Sequence, residues 1–333
     1  GWARMAREVH RYGALLLPQI SFVGASGDIE ITEGVPPYRV SDPVGENQKQ
    51  LPGSKVDVNF DSAAKQFQTI THDELIELEQ KYINAARYAH MAGCDGVEVH
   101  CVSYIIGQLI APSTNGRTDE YGGSLENRMR FAVNVIKGIR ETCGPDFIIG
   151  SRMPVHKWDT DGLTYEDSKY IAKVLVEAGC DFLDANNGMP PSVSALIESQ
   201  RFPQGARVDQ AEFLKGVVDV PVFAVGALRE PDFCENVISE GKADFVMLGR
   251  ALIGDPDWAE KARTGRANEI RRCISCMQGC YGNLAKSQSI QCMINPEAGY
   301  ESILNTVQPA KEQKNIIIVG GGLAGMQAAI TAY

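Results

Sequence analysis

No apolar run in this sequence approaches the roughly 18–20 residues that a membrane-spanning helix requires. Excess positive charge is lacking as well. Thirty-two Lys and Arg face 42 Asp and Glu, a formal net charge of −10 at pH 7, which argues against nucleic-acid backbones and anionic membranes as partners. Histidine is scarce, with five in the chain, and His10, His72, His90 and His156 stand apart without metal-like grouping, so they read as structural. A disulfide framework is also missing. Nine cysteines is an odd number and four of them crowd into residues 273–292, the pattern of a ligand set in a reducing, cytoplasmic compartment. The opening Gly1-Trp-Ala-Arg-Met-Ala-Arg-Glu8 reads as an amphipathic helix without the apolar core of a signal peptide.

What is present has the composition of an ordinary globular protein, 44% hydrophobic and 22% charged over 333 residues, enough for two domains or for one large α/β barrel with an appendage. Apolar, β-rich runs lie at 14–20, 96–100, 147–152, 181–186, 221–225 and 244–248. Helical patterns separate them. Thr71 with Glu74 predicts a capping box ahead of a helix stopped at Gly93; Ser124 opens another that ends at Gly144-Pro145; Thr164 with Asp167 opens a third that ends at Gly179. A weak repeat joins helix end to strand start in Ala92-Gly-Cys-Asp95, Ala178-Gly-Cys-Asp181 and Gly241-Lys-Ala-Asp244. Strands so continuously apolar are buried on both faces, as in a parallel sheet. This rhythm predicts a TIM (β/α)8 barrel, with a doubly wound sheet as the competing fold. Six β/α units are visible where eight close a barrel, so two N-terminal units are expected to lie outside the sequence.

Three motifs carry chemistry. Cys273-x2-Cys276-x3-Cys280-x11-Cys292 supplies four thiolates for a [4Fe–4S] cluster or for zinc. The run Asn315-Ile-Ile-Ile-Val319 predicts a strand. Gly320-Gly-Gly322-Leu-Ala-Gly325 and a helical stretch follow it, the strand–turn–helix setting of a dinucleotide-binding fingerprint. In this reading Gly320 permits the tight turn, Gly322 lets backbone approach a pyrophosphate, and Gly325 allows close helix packing. Finally, Val225-Gly226-Ala227 and Leu248-Gly249-Arg250 follow the last two strands, where barrels often bind phosphate on backbone N–H groups. Boundaries follow: residues 1–265 as the barrel, 266–310 as the cysteine segment and linker, and 311–333 as the start of a Rossmann-like domain.

The stretch Gly96-Val-Glu-Val-His100, Tyr104, and Ser113-Thr-Asn-Gly-Arg-Thr-Asp-Glu-Tyr-Gly-Gly-Ser124-Leu-Glu-Asn-Arg128 resembles the old yellow enzyme barrel. With the cysteines and glycine-rich finger behind it, the chain resembles the branch containing 2,4-dienoyl-CoA reductase, trimethylamine dehydrogenase, 2-enoate reductases and NADH:flavin oxidoreductases. The resemblance implies an FMN barrel, a [4Fe–4S] segment, and a module for FAD and NAD(P)H of which only the first part is present. It assigns Gln19 to the flavin pyrimidine edge, Arg152 to the flavin N1 side, and Gly226, Gly249 and Arg250 to the FMN phosphate. Tyr104 matches the proton donor, and His100 the first of two groups that bind a substrate oxygen. Here the motif departs from the family, because His100-Cys-Val-Ser103-Tyr104 lacks a glycine and offers Ser103 as second partner. The turn Asn186-Asn-Gly-Met-Pro-Pro191 carries no histidine, which disfavours dienoyl-CoA as substrate.

The implied reaction passes electrons from NAD(P)H through FAD, the cluster and FMN to an electron-poor C=C bond in a small unsaturated substrate. A homo-oligomer is compatible with that class. Two alternatives stand beside it: trimethylamine dehydrogenase-like amine oxidation, and a non-catalytic scaffold whose four cysteines hold zinc. Trp158, Asp159 and Asp161 read as a solvated turn, and Cys94, Cys180 and Cys234 as small core residues.

Overall fold

Six short strands run side by side, all parallel and all in chain order: β1 (Gln19–Ile20), β4 (Gly96–His100), β5 (Ile148–Val155), β6 (Phe182–Asn187), β7 (Val222–Ala224) and β8 (Phe245–Val246). The computed structural model describes residues 1–26, 33–42, 67–157, 162–188, 197–304 and 310–333. The turn residues Trp158, Asp159 and Asp161, and Met189-Pro190-Pro191, lie outside the described residues. A doubly wound sheet reverses its strand order at a switch point. This sheet does not reverse, so the winding is that of a barrel. The register carries each strand past its neighbour, from Gln19 beside Glu98 to Ala224 beside Val246. A two-stranded parallel pair, β2 (Tyr38–Arg39) with β3 (Gln68–Thr69), was not legible in the sequence.

The helices begin and end where local chemistry directs. In α2 (His72–Met91) the Thr71 hydroxyl accepts from the Glu74 N–H while the Glu74 carboxylate accepts from the Thr71 N–H. The same reciprocal box, Thr164 with Asp167, opens α5 (Tyr165–Ala178), and Ser124 caps α4 (Leu125–Cys143). Helix α1 (Trp2–His10) buries only Ala6. Phe131, Ile136 and Ile139 of α4 are fully buried, as is Leu75 of α2. Each such side chain contributes about 1.5–3 kcal/mol of apolar burial. Tyr82 and Phe131 meet edge to face at 5.8 Å.

The repeated aspartates have a common task. Each carboxylate accepts a backbone N–H from the preceding segment of the sheet: Asp95 from Leu16 at 2.7 Å, Asp181 from Ile149 at 2.7 Å, and Asp244 from Val222 at 2.8 Å. Each also holds a basic side chain from the helix that leads into that preceding segment: His10, Arg140 and Lys215. The repeat therefore ties successive β/α units together at the N-terminal ends of the strands, away from the site.

One expected element is absent. Residues 315–319 form no strand; they run exposed with no neighbouring strand among the described residues, and a β-strand needs such a partner for its N–H and C=O groups. The following turn and the helix Leu323–Ala332 do form. Gly320 is left-handed at φ 114°, and a Cβ on Gly325 would stand 1.9 Å from the Gly320 carbonyl oxygen. Among the described residues, no helix is long and apolar enough to cross a membrane.

Candidate active site

Barrel enzymes place their chemistry at the C-terminal ends of the strands, where the βα loops converge. A cavity of about 420 Å3 opens there, within the size range of cofactor pockets. His100 ends β4, and the loop after it contributes Ser103 and Tyr104 to the lining. Arg152 enters from β5, Gly226 from the loop after β7, and Gly249 with Arg250 from the loop after β8. Seven residues singled out from the sequence thus line one space. Gln19 does not. It sits exposed on β1, and its amide donates to the Glu98 carboxylate.

The chain makes a tight turn at Ser103. The Tyr104 N–H donates to the Val102 carbonyl at 2.7 Å, closing a turn of only three residues, and Ser103 at its centre is left-handed with φ 62°. A side chain in that conformation carries strain of about 1–2 kcal/mol. Tyr104 follows as N-cap of α3 (Ile105–Ile110), and its ring packs on the His100 imidazole at 4.7 Å with 33° between the planes. The Val102 N–H donates to His100 Nδ1 at 3.3 Å, which leaves the proton of the neutral ring on Nε2. Burial pushes the His100 pKa down to about 4, and the nearby Arg152 cation adds to the effect. His100 is a neutral hydrogen-bond donor at pH 7.

Arg152 itself pairs with the fully buried Asp184 and points an N–H at Met247 Sδ, 2.9 Å away. Burial works against its charge, but Asp184 and Glu98 prevail and hold the guanidinium above its ordinary value. Glu98 Oε1 and Asp184 Oδ1 are buried without a hydrogen-bond partner among the described residues. Neither residue is on the cavity lining, and burial pushes the Asp184 carboxyl up to about 7. The same lining includes Arg207, Glu198 and Asn186, to which the sequence assigned no role.

The cysteine segment folds against α8 (Arg250–Gly254): Asn295 donates to the Ile253 carbonyl at 2.9 Å, and the Arg271 N–H donates to the buried Asp255 at 2.9 Å. All four of Cys273, Cys276, Cys280 and Cys292 are half-buried and line a second, small cavity of about 20 Å3. The Ser275 N–H donates to Cys273 Sγ at 3.4 Å, and Ser275 and Met277 are left-handed at φ 51° and 59°, so the backbone coils tightly beside the sulfurs. As they stand, no three His, Cys, Asp or Glu side chains among the described residues converge closely enough to hold a single ion. Cys273 and Cys280 line both cavities, as do Arg250 and Ile253. Tyr281, just beyond Cys280, faces into the larger one, where burial raises its phenol pKa and Tyr104 adds to the rise.

A parallel barrel-type sheet with a cavity at its carboxyl edge and a cationic, glycine-lined corner defines a class of ligand-binding α/β enzymes. The comparisons narrow it. The chain belongs to the NADH:flavin oxidoreductase / NADH oxidase family, which matches residues 1–269. It is 43% identical over 334 residues to an NADH oxidase of Thermoanaerobacter brockii, covering 100% of this chain and 49% of that protein. It is 33% identical over 344 residues to a cinnamate reductase of Clostridium sporogenes, covering 98% and 50%. The chain spans about half the length of these curated relatives. Among solved structures, a 2-naphthoyl-CoA reductase in complex with 2-naphthoyl-CoA superposes with a TM-score of 0.86 at 28% identity, covering 99% of this chain and 50% of that one.

Proposed function

We propose that this chain is the FMN-binding and alkene-reducing part of an NAD(P)H-dependent flavin oxidoreductase that also carries a [4Fe–4S] cluster and FAD. The observation that carries the reading is the convergence of His100, Ser103, Tyr104, Arg152, Gly226, Gly249 and Arg250 on one cavity whose wall includes two of the four clustered cysteines. FMN, when bound, supplies the hydride for the electron-poor carbon of an enoate- or enone-type C=C. The chain's own residues do the rest. Gly226, Gly249 and Arg250 hold the phosphate, Arg152 supplies positive charge beside the ring, and Gln19 is assigned to the pyrimidine edge. His100 donates from Nε2 to the substrate carbonyl oxygen, with Ser103 as a second donor. Tyr104 gives a proton from its phenol hydroxyl to the carbon next to that carbonyl. Cys273, Cys276, Cys280 and Cys292 would hold the cluster, and Gly320, Gly322 and Gly325 a dinucleotide pyrophosphate. By domains, residues 1–265 form the barrel, 266–310 the cluster segment, and 311–333 the start of the dinucleotide-binding domain.

The charged lining supports an anionic or carbonyl substrate over an amine. Four arginines (152, 207, 229 and 250) line the cavity with the single carboxylate of Glu198, a set that favours anionic over cationic ligands. The test is a single-turnover experiment under anaerobic conditions. Reduced protein mixed with cinnamate or a related enoate should yield the saturated acid in proportion to flavin reoxidised. Oxidation of a tertiary amine without any reaction with enoates would refute the reading.

A further inference from the structure

The phosphate corner of the cavity already contains an anion. Glu198 is 4% exposed and stands between two guanidinium groups. Its carboxylate pairs with Arg207, itself 4% exposed, and its second oxygen lies 3.5 Å from Arg250 Nη2. Arg250 also donates to the Glu198 carbonyl oxygen at 2.6 Å. Arg207 in turn donates to the Asn186 side chain at the end of β6. All four residues line the cavity.

The glycines of the corner are fitted to this group. Gly226 is left-handed at φ 120°, and a Cβ there would stand 3.1 Å from the Arg207 Cβ and Cγ atoms, while nothing lies within 4 Å of a Cβ built on Gly249. Arg207 therefore packs directly beneath one phosphate-loop glycine, and the space over the other is open. Charge does not balance in the corner: one carboxylate faces two guanidinium groups. A phosphomonoester carries about −1.5 to −2 charge at neutral pH and three acceptor oxygens, which matches two arginines better than a single carboxylate does.

We infer that Glu198 is an internal stand-in for phosphate, that Arg207 is a second phosphate-binding cation beside Arg250, and that a phosphomonoester enters this corner by displacing the Glu198 carboxylate. The inference rests on the reading of the cavity as an FMN site. It makes flavin affinity a competition between the ligand's phosphate and the protein's own carboxylate, and it keeps the buried Arg207 and the half-buried Arg250 paired before the ligand arrives. A ligand without the phosphate cannot displace Glu198 and gains nothing from either arginine.

Binding of FMN and of riboflavin to the flavin-free full chain, followed by quenching of flavin fluorescence, tests this directly. Wild-type protein should prefer FMN. Glu198→Gln removes the competing charge and should tighten FMN at least about tenfold, the scale of one charge-assisted hydrogen bond, while moving riboflavin less than about twofold. Glu198→Asp keeps the charge but shortens the reach to both arginines, so it serves if the amide variant folds poorly, and FMN should tighten there about threefold. Arg207→Met should weaken FMN about tenfold or more and narrow its advantage over riboflavin. FMN binding unchanged in both Glu198 variants, or an unchanged FMN-to-riboflavin ratio in Arg207→Met, would overturn the inference while leaving the flavin site intact. Wild-type protein that binds FMN no better than riboflavin would also overturn it, since the phosphate would lie elsewhere. Protein that binds neither flavin would overturn both the inference and the reading beneath it.

Discussion

Tyr104→Phe removes one oxygen and little else, which makes it the sharpest probe of the proton-transfer role. The ring packs on His100 at 4.7 Å, and a phenylalanine ring keeps that contact. The backbone around it is held by the Tyr104 N–H to Val102 bond and by the start of α3, neither of which involves the hydroxyl. The variant should therefore fold and bind flavin as wild type does. General acid catalysis is worth about 10²–10⁴-fold, so the rate at which an enoate reoxidises the reduced protein should fall by at least about 100-fold at pH 7. Stopped-flow absorbance of the flavin under anaerobic conditions measures this step alone. Reduction by NAD(P)H, which does not need the phenol, should stay near the wild-type rate. A rate for the alkene step within a few-fold of wild type would refute the assignment and make water or Tyr281, across the same cavity, the acid.

Further outcomes follow from the same geometry. Ser103→Gly should raise stability by about 0.5–1 kcal/mol, because glycine relieves the left-handed strain at φ 62° at some cost in unfolded-chain entropy; destabilisation in urea unfolding would show that the serine side chain holds the turn. His100 has a folded pKa of about 4 against an ordinary 6.5. The unfolded chain thus binds the proton first, and the stability due to the buried neutral ring is full above pH 6.5 and lost as pH falls from 6.5 towards 4. The alkene step should show no inflection near pH 6.5 from this group, and proton NMR of the imidazole should find it neutral at pH 5.5. Cys276 lines the small cavity and not the large one, so Cys276→Ala should abolish electron delivery from NAD(P)H while leaving FMN content unchanged; joint loss of iron and FMN would argue against separate sites.

Much of the scaffold was legible because local chemistry declared it. Thr71 with Glu74 and Thr164 with Asp167 are capping boxes in both sequence and structure, since the three-residue spacing alone brings the groups together. The repeat ending in Asp95, Asp181 and Asp244 marked unit boundaries, though not the aspartate-to-backbone bonds that explain it, because their partners lie 22 to 79 residues away. The most family-specific run is scaffolding. Arg117 reaches the Val40 and Ile70 carbonyls, Asp119 holds Arg117, and Tyr121 donates to Glu79. The cavity residues at strand ends were singled out through the family resemblance, and their place agrees with where barrels put chemistry. Arg207 and Glu198 could not be found in this way, since they sit in irregular chain before the helix Val208–Lys215, and Glu198 meets Arg250, 52 residues further on, only in the folded chain. Asp184 left one usable signal, a charged residue inside an apolar strand, fully buried against Arg152. Residues 315–319 show the opposite failure: β-branched composition suggested a strand, but pairing requires a neighbour that composition does not supply.

The central claim is that one cavity holds FMN and that its wall is shared with an iron–sulfur cluster. Cofactor analysis of the protein purified under anaerobic conditions tests it most directly, by acid extraction of flavin with separate iron and zinc determination. The account predicts one FMN per chain and about four irons, as a cubane cluster requires, with negligible zinc. Stoichiometric zinc with neither iron nor flavin would contradict it.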